Sequence, residues 1–281
     1  MIQELEDKRV FINHGPIQMT LDIKINSRRS SDIAFKVAEY IIGELENLLK
    51  YMPELKDMKS LKKIKAEYPG VLNKMITAID KCGDKTINVL GAVAGSFSDI
   101  ALEKAIDLGA TRVIINNGGD IAFRDISGDP VKIGIPLNRD LSKTKLVMTI
   151  TNDMNIGGVC TSGLGGRSFT KGIATASVVL AGNAAIADAC ATYLGNMTNV
   201  EDEKITRCFA EKIDSGTDIP GQLVTLSVGD ISKEKIYKAL LNGVNAAEKL
   251  YEKGIIKGAL LCVKDEIVMI PDNINYIKNK D

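Results

Sequence analysis

Apolar positions along this chain follow two rhythms, and the changes from one to the other mark out most of its elements. Within residues 8–25, "VFINHGPIQMTLDIKI", the second half alternates apolar and polar side chains, as a strand with one wet face does. His14, Gly15 and Pro16 interrupt that stretch as a turn or bulge. From an N-cap at Ser30 or Ser31, Ile33, Val37, Ile41, Leu45 and Leu48 trace one helical face towards Tyr51, and Pro53 then breaks the pattern. A second helix lies in "EYPGVLNKMITAIDKCG", entered after Pro69 and left at Gly83 in the C′ position. A third, running from around Ser96 to Leu108, sits among the small residues of "VLGAVAGSFSDIALEKAIDLGA".

The strand rhythm returns in "RVIIN", "DIAF", "VKIGI", "KLVMTIT" and "ATASVVLAG". "NAAIADACATYLGNM" reads as a helix almost covered in small residues, able to bring its backbone close to a sheet or a ligand. Further on, "GQLVTLSV" is strand-like and Ser232–Glu252 is amphipathic through Ile236, Leu240, Val244, Ala247 and Leu250. "ALLCVKDEIVMI" predicts a hairpin turning at Lys264-Asp265. With no repeat, low-complexity segment or linker, the expectation is a single intertwined α+β domain over 1–281.

Composition narrows the partners. Lys+Arg and Asp+Glu both number 36, so no net field draws the chain to nucleic acid or to an anionic membrane. No apolar run approaches the roughly 18 residues that span a bilayer. The start, "MIQELEDKRVFIN", lacks the basic head and apolar block of a signal peptide, and a cytoplasmic location is expected. The five cysteines are Cys82, Cys160, Cys190, Cys208 and Cys262. They are odd in number, widely spaced and without a C-x-x-C, which supports neither a disulfide framework nor a zinc site. A single histidine, His14, argues against chemistry built on histidine pairs; in its "NHGP" turn it is either a site residue or a surface residue.

Three stretches carry candidate chemistry. In "RVIINNGGDIAF", Asn-Gly between two strands is a strong hairpin signal. The same adjacent glycines, Gly118 and Gly119, also leave backbone amides uncovered, a nest for a phosphate oxygen, with Asn117 and Asp120 at its rim. The second stretch, "GGVCTSGLGGRSFTKG", offers Thr161, Ser162, Gly163 and Ser168 with the guanidinium of Arg167, group types that bind phosphate or carboxylate. A flexible surface loop is the plain alternative. It is neither a Walker A loop nor a dinucleotide fingerprint. The third is Asp188 with Thr192, a carboxylate and a hydroxyl on one helix face, suited to Mg²⁺, which takes few protein ligands. A bare helix surface is the alternative there.

The order "INNGGDIAF", "VKIGIPLN", "CTSGLGGRS", "ASVVLAGNAAIADACATYLGN" resembles that of the ApbE-like proteins, the FAD:protein FMN transferases. Residues 85–198 carry this motif core, with 199–281 completing the same domain. Over nearly the whole chain, "HGPI", "AVAG", "NNGGD", "TSGLGGRS", "IADACAT" and "EKGIIKGALL" resemble an uncharacterised branch of that superfamily, associated with sulfide assimilation in anaerobes. The resemblance implies a T-fold-like α+β architecture, with mixed or antiparallel sheet layers and packed helices, and a homodimer is expected of it. It further implies Mg²⁺ at Asp188, Thr192 and a backbone carbonyl near "AVAGSF". FAD or a related nucleotide would lie against Asn117–Asp120 and Thr161–Gly163. Two departures stand out: "RSFTKGIATAS" replaces the family's His-Ile-x-Asp-Pro-x-x-Gly segment, and "AGSFSD" replaces its Lys-Gly-Tyr-like one. Flavinylation of other proteins is therefore not expected.

The leading expectation is an ApbE-like, divergent transferase-like protein that binds a small anionic ligand of flavin or nucleotide type, with Mg²⁺. A second reading is a sulfur-transfer factor acting through Cys160, whose pKa neighbouring hydroxyls and Arg167 would lower. The third is a non-catalytic structural subunit.

Overall fold

A computed structural model describes residues 1–56, 63–135, 146–166, 168–272, 274 and 277–279, the last three as backbone alone. Arg167, Lys145 and the "PLN" that follows the "VKIGI" strand lie outside the described residues. The strands, in chain order, are β1 (Ile2–Glu4), β2 (Val10–His14), β3 (Ile17–Ile25), β4 (Arg28–Arg29), β5 (Arg112–Asn117), β6 (Asp120–Asp125), β7 (Val131–Ile135), β8 (Leu146–Ile150), β9 (Gly158–Ser162), β10 (Ala176–Ala181), β11 (Ile205–Phe209), β12 (Leu223–Val228), β13 (Gly258–Val263), β14 (Glu266–Ile270) and β15 (Ile277–Asn279). The helices are α1 (Ser31–Leu49), α2 (Met52–Lys56), α3 (Gly70–Cys82), α4 (Val93–Asp107), α5 (Ala184–Met197) and α6 (Lys233–Glu252). This is an α+β protein, as the two rhythms predict.

Local signals explain most boundaries. Ser30 caps α1 by accepting the Ile33 N–H, and Ser232 does the same for Lys235 at α6. Gly83 closes α3 in the left-handed conformation, φ 76°. Pro53 does not simply end a pattern: it sits in the first turn of α2, where its missing N–H costs nothing. The largest departure is β9. The glycine-rich stretch expected as a loop begins as a buried strand, because Gly157 and Gly158 let the chain run against the start of α5.

The chain forms two compact units from interleaved stretches. The first comprises Met1–Val131, Ile150–Cys160 and Ala181–Ala189. Its strands pair antiparallel in the order β1-β2-β3-β5-β6-β9, with β4 on β3. Helix α4 lies over β5 and β6, and α1 and α3 pack on α4. Val10, Ile12, Met19, Leu21, Val37, Ile41, Leu72, Met75, Phe97, Val113 and Ile115 fill the core between these layers. The second unit comprises Lys132–Thr149, Thr161–Leu180 and Cys190–Asp281. In it β10, β13 and β14 pair antiparallel under α6, β11 pairs β12, and β8 lies between β7 and β15.

Candidate functional site

The Asn-Gly-Gly-Asp stretch is a tight hairpin. β5 and β6 are joined by Gly118 and Gly119 alone, with φ 69° and 112°, conformations that a side chain would strain. The Gly119 N–H donates to Asn116 Oδ1 at 2.9 Å, so that amide is already satisfied and does not wait for a phosphate. What the hairpin does for a site is different. It sets Asn117 directly opposite Asp120, and directly opposite residues of an antiparallel pair project to one face.

That face is covered by the start of α4. Asn117 Nδ2 donates to the Ala94 carbonyl at 3.3 Å, and Ser98 Oγ donates to the Asp120 carbonyl at 2.8 Å. Asn117 is 4% exposed, and its Oδ1 has no hydrogen-bond partner among the described residues. A buried amide oxygen left unmatched is costly, so this atom marks a place that a bound group would complete.

Asp188 arrives from α5, the small-residue helix. A Cβ on Gly95 would fall 2.3 Å from the Ala184 carbonyl oxygen and 2.7 Å from Asp188 Cβ, so glycine is what allows α4 and α5 to approach. Asp188 Oδ2 accepts the Gly95 N–H at 2.8 Å. Burial holds its carboxyl well above the usual carboxylate range; Asp120 adds to this, and the Gly95 and Ala94 amides oppose it. One turn further along the same helix comes Thr192, half-buried.

A second acid on α4 escaped the sequence reading. Asp99, 2% exposed, accepts the N–H groups of Ala184 and Ala185, each at 2.9 Å, and so caps α5 from a different helix. Burial raises its pKa to about 6 against the pull of those two amides and of Lys74. Asp99 also lines a cavity of about 270 Å³ with Lys74, Thr77, Lys81 and Asn183.

Cys160, on β9, was expected to be an activated thiol in the sulfur-transfer reading. The structure reverses this. The side chain is 0% exposed, its Sγ lies 3.2 Å from the Ala184 carbonyl, and burial pushes the thiol well above its ordinary value. The carboxylates of Asp120, Asp188 and Asp99 push it the same way.

In the second unit the glycine loop satisfies its own backbone. Leu164 N–H donates to the Ala174 carbonyl, Gly165 N–H to Thr175, and Gly166 N–H to Gly163. Gly163, φ 118°, lies against the Ala174 and Thr175 carbonyls, and Gly172 lies against Gly195 and Thr198. These glycines serve close backbone approach rather than an open anion cradle. Thr161 and Ser162 end β9, half-buried, and Ser168 is exposed. The structure thus gathers Asn117, Asp120, Cys160 and Asp188 within the first unit.

Among the described residues no three His, Cys, Asp or Glu side chains form a ready-made metal cage. A buried carboxylate, a half-buried one beside it and an unmatched amide oxygen nevertheless fit Mg²⁺, which keeps waters and takes oxygen donors from its substrate.

Fold and site together define a protein of the ApbE-like superfamily. A family model described as AbpE bacteria matches residues 2–269, and the chain belongs to that family. A UPF0280 protein of Methanococcoides burtonii is 32% identical over 182 residues, which is 64% of this chain and 74% of that protein. Another, from Methanocella arvoryzae, is 32% identical over 217 residues, covering 77% and 83% respectively. Among solved structures, the flavin transferase ApbE from Vibrio cholerae shares the fold with a TM-score of 0.50 at 11% identity, covering 100% of this chain and 97% of that one. No described helix is long and apolar enough to cross a membrane.

Proposed function

We propose that this protein binds FAD or a related nucleotide together with Mg²⁺, as a divergent member of the flavin transferase fold. The observation that carries this reading is the buried Asp188 carboxyl, which accepts the Gly95 N–H, together with Asn117, whose Nδ2 donates to the adjacent Ala94 carbonyl and whose buried Oδ1 has no partner among the described residues. Asp188 and Asn117 would hold the ion, and Asp120 would stand at the edge of the same patch. When bound, Mg²⁺ would neutralise phosphate charge and polarise a phosphoryl oxygen. The Gly95 amide keeps Asp188 in place, and the packing of α4 on the β5–β6 hairpin keeps Asn117 in place, so neither needs to reorganise for a ligand. "RSFTKGIATAS" offers no histidine and no Asp-Pro, so transfer of flavin to other proteins is not part of this reading.

The test is thermal unfolding of the purified protein with Mg²⁺, with FAD, and with both. Stabilisation by the pair beyond Mg²⁺ alone is expected, and Asp188→Ala should abolish the difference. An undiminished shift in Asp188→Ala would remove Asp188 from the site.

A further inference from the structure

We propose that the cavity beside Asp99 is a second binding site, for a small organic monoanion with a short apolar tail, the chemistry of a short-chain carboxylate. It shares no residue with the patch of Asn117, Asp120 and Asp188 and does not depend on a cation there.

The walls all belong to the first unit. One face of α3 supplies Lys74, Ala78 and Lys81, spaced i, i+4 and i+7 and so aligned along the helix. Asn183, Ala185 and Ile186 come from the entry to α5, and Asp99 closes the wall from α4.

Most of the charge around the cavity is already matched, and the remainder fixes the sign of the ligand. Asp99 directs its two oxygens to the Ala184 and Ala185 amides. Lys74 Nζ lies 2.7 Å from Glu103 Oε1. Lys81, in the last turn of α3, has no ion-pair or hydrogen-bond partner among the described residues. Asn183 Oδ1 accepts the Ile186 N–H at 2.9 Å, which orients the side-chain amide and leaves its Nδ2 as a donor. The first α5 amides are taken up by these contacts, so recognition falls to the side chains. One ammonium and one amide donor suit a single anionic head. Lys74 can turn to the same head, because an ion pair open to water is weakly held.

The tail follows from the apolar lining. Ala78, Ala185 and Ile186 form a buried floor, whereas Ile64 at the rim is 63% exposed, apolar area that a bound tail would withdraw from water. The cavity holds about 270 Å³. Sites for drug-sized ligands hold roughly 300–1,000 Å³, so the ligand here is smaller.

Calorimetric titration of the full chain, free of FAD and Mg²⁺, tests this with hexanoate, 1-hexanol, acetate and inorganic phosphate as probes. Hexanoate is expected to saturate at one molecule per chain. The alcohol, acetate and phosphate should each bind about tenfold more weakly or worse, since each lacks the charge or the tail. Lys81→Gln should weaken hexanoate about tenfold through one lost charge-assisted hydrogen bond. Ile64→Ser, at an exposed position that folding does not need, should weaken it as well, and Lys85→Gln, outside the cavity, should leave it unchanged. No saturable hexanoate binding, equal binding of hexanol or phosphate, or indifference to Lys81→Gln overturns the proposal. Stabilisation by FAD with Mg²⁺ reports on the other site, so the two readings stand or fall separately.

Discussion

Asp99 is a single carboxylate with an outsized structural task. It takes two amides of α5 while buried, and its pKa rises from 3.8 to about 6. A raised acid pKa means that the native state holds the proton more tightly than the unfolded chain does. Its contribution is therefore fully present below about pH 4 and is lost as pH rises towards 6, by on the order of 3 kcal/mol at most. Asp99→Asn removes this dependence. Urea unfolding of both proteins across that range should show the wild type losing stability relative to the variant as pH rises; parallel curves would dispose of the idea. Nothing local in the sequence pointed to Asp99, because an acid that caps a helix 85 residues away leaves no spacing to read. Asn117, Asp120 and Asp188 were legible, through their motif resemblance. The surroundings of Cys160 were not, since burial and neighbouring carboxylates are products of tertiary packing.

At the scale of elements, glycine does the positioning. A Cβ on Gly158 would fall 2.3 Å from the Ala184 nitrogen, backbone that has no room to yield. Gly158→Ala is expected to destabilise by about 3 kcal/mol. Gly182→Ala, where a Cβ meets nothing within 4 Å, should change little. Equal denaturation midpoints for the two variants would contradict this account of β9. Ser232→Ala should cost about 1 kcal/mol through the lost α6 cap, measurable by the same denaturation. Helices with caps and periodic faces, and the hairpins at Gly118-Gly119 and Lys264-Asp265, were readable because their signals are local. β9 was not: its glycines resemble a loop in sequence and become a strand because α5 comes to lie against them.

For the whole molecule, family membership fixes the architecture and leaves the ligand to experiment. A ligand present at a hundred times its dissociation constant stabilises the native state by about 2.7 kcal/mol. For a chain of this size that is a rise in Tm of about 5–10 °C, ample for the FAD and Mg²⁺ comparison to resolve. The two-glycine link between β5 and β6 has one more consequence. Adding a single residue to that bend would rotate the strand beyond it by half a repeat, sending the carboxylate of Asp120 to the far side and leaving the amide of Asn117 without its companion. On the proposed reading, changes in what this protein accepts would therefore arise by exchanging side chains at fixed addresses, because altering the length of the bend would erase the addresses themselves.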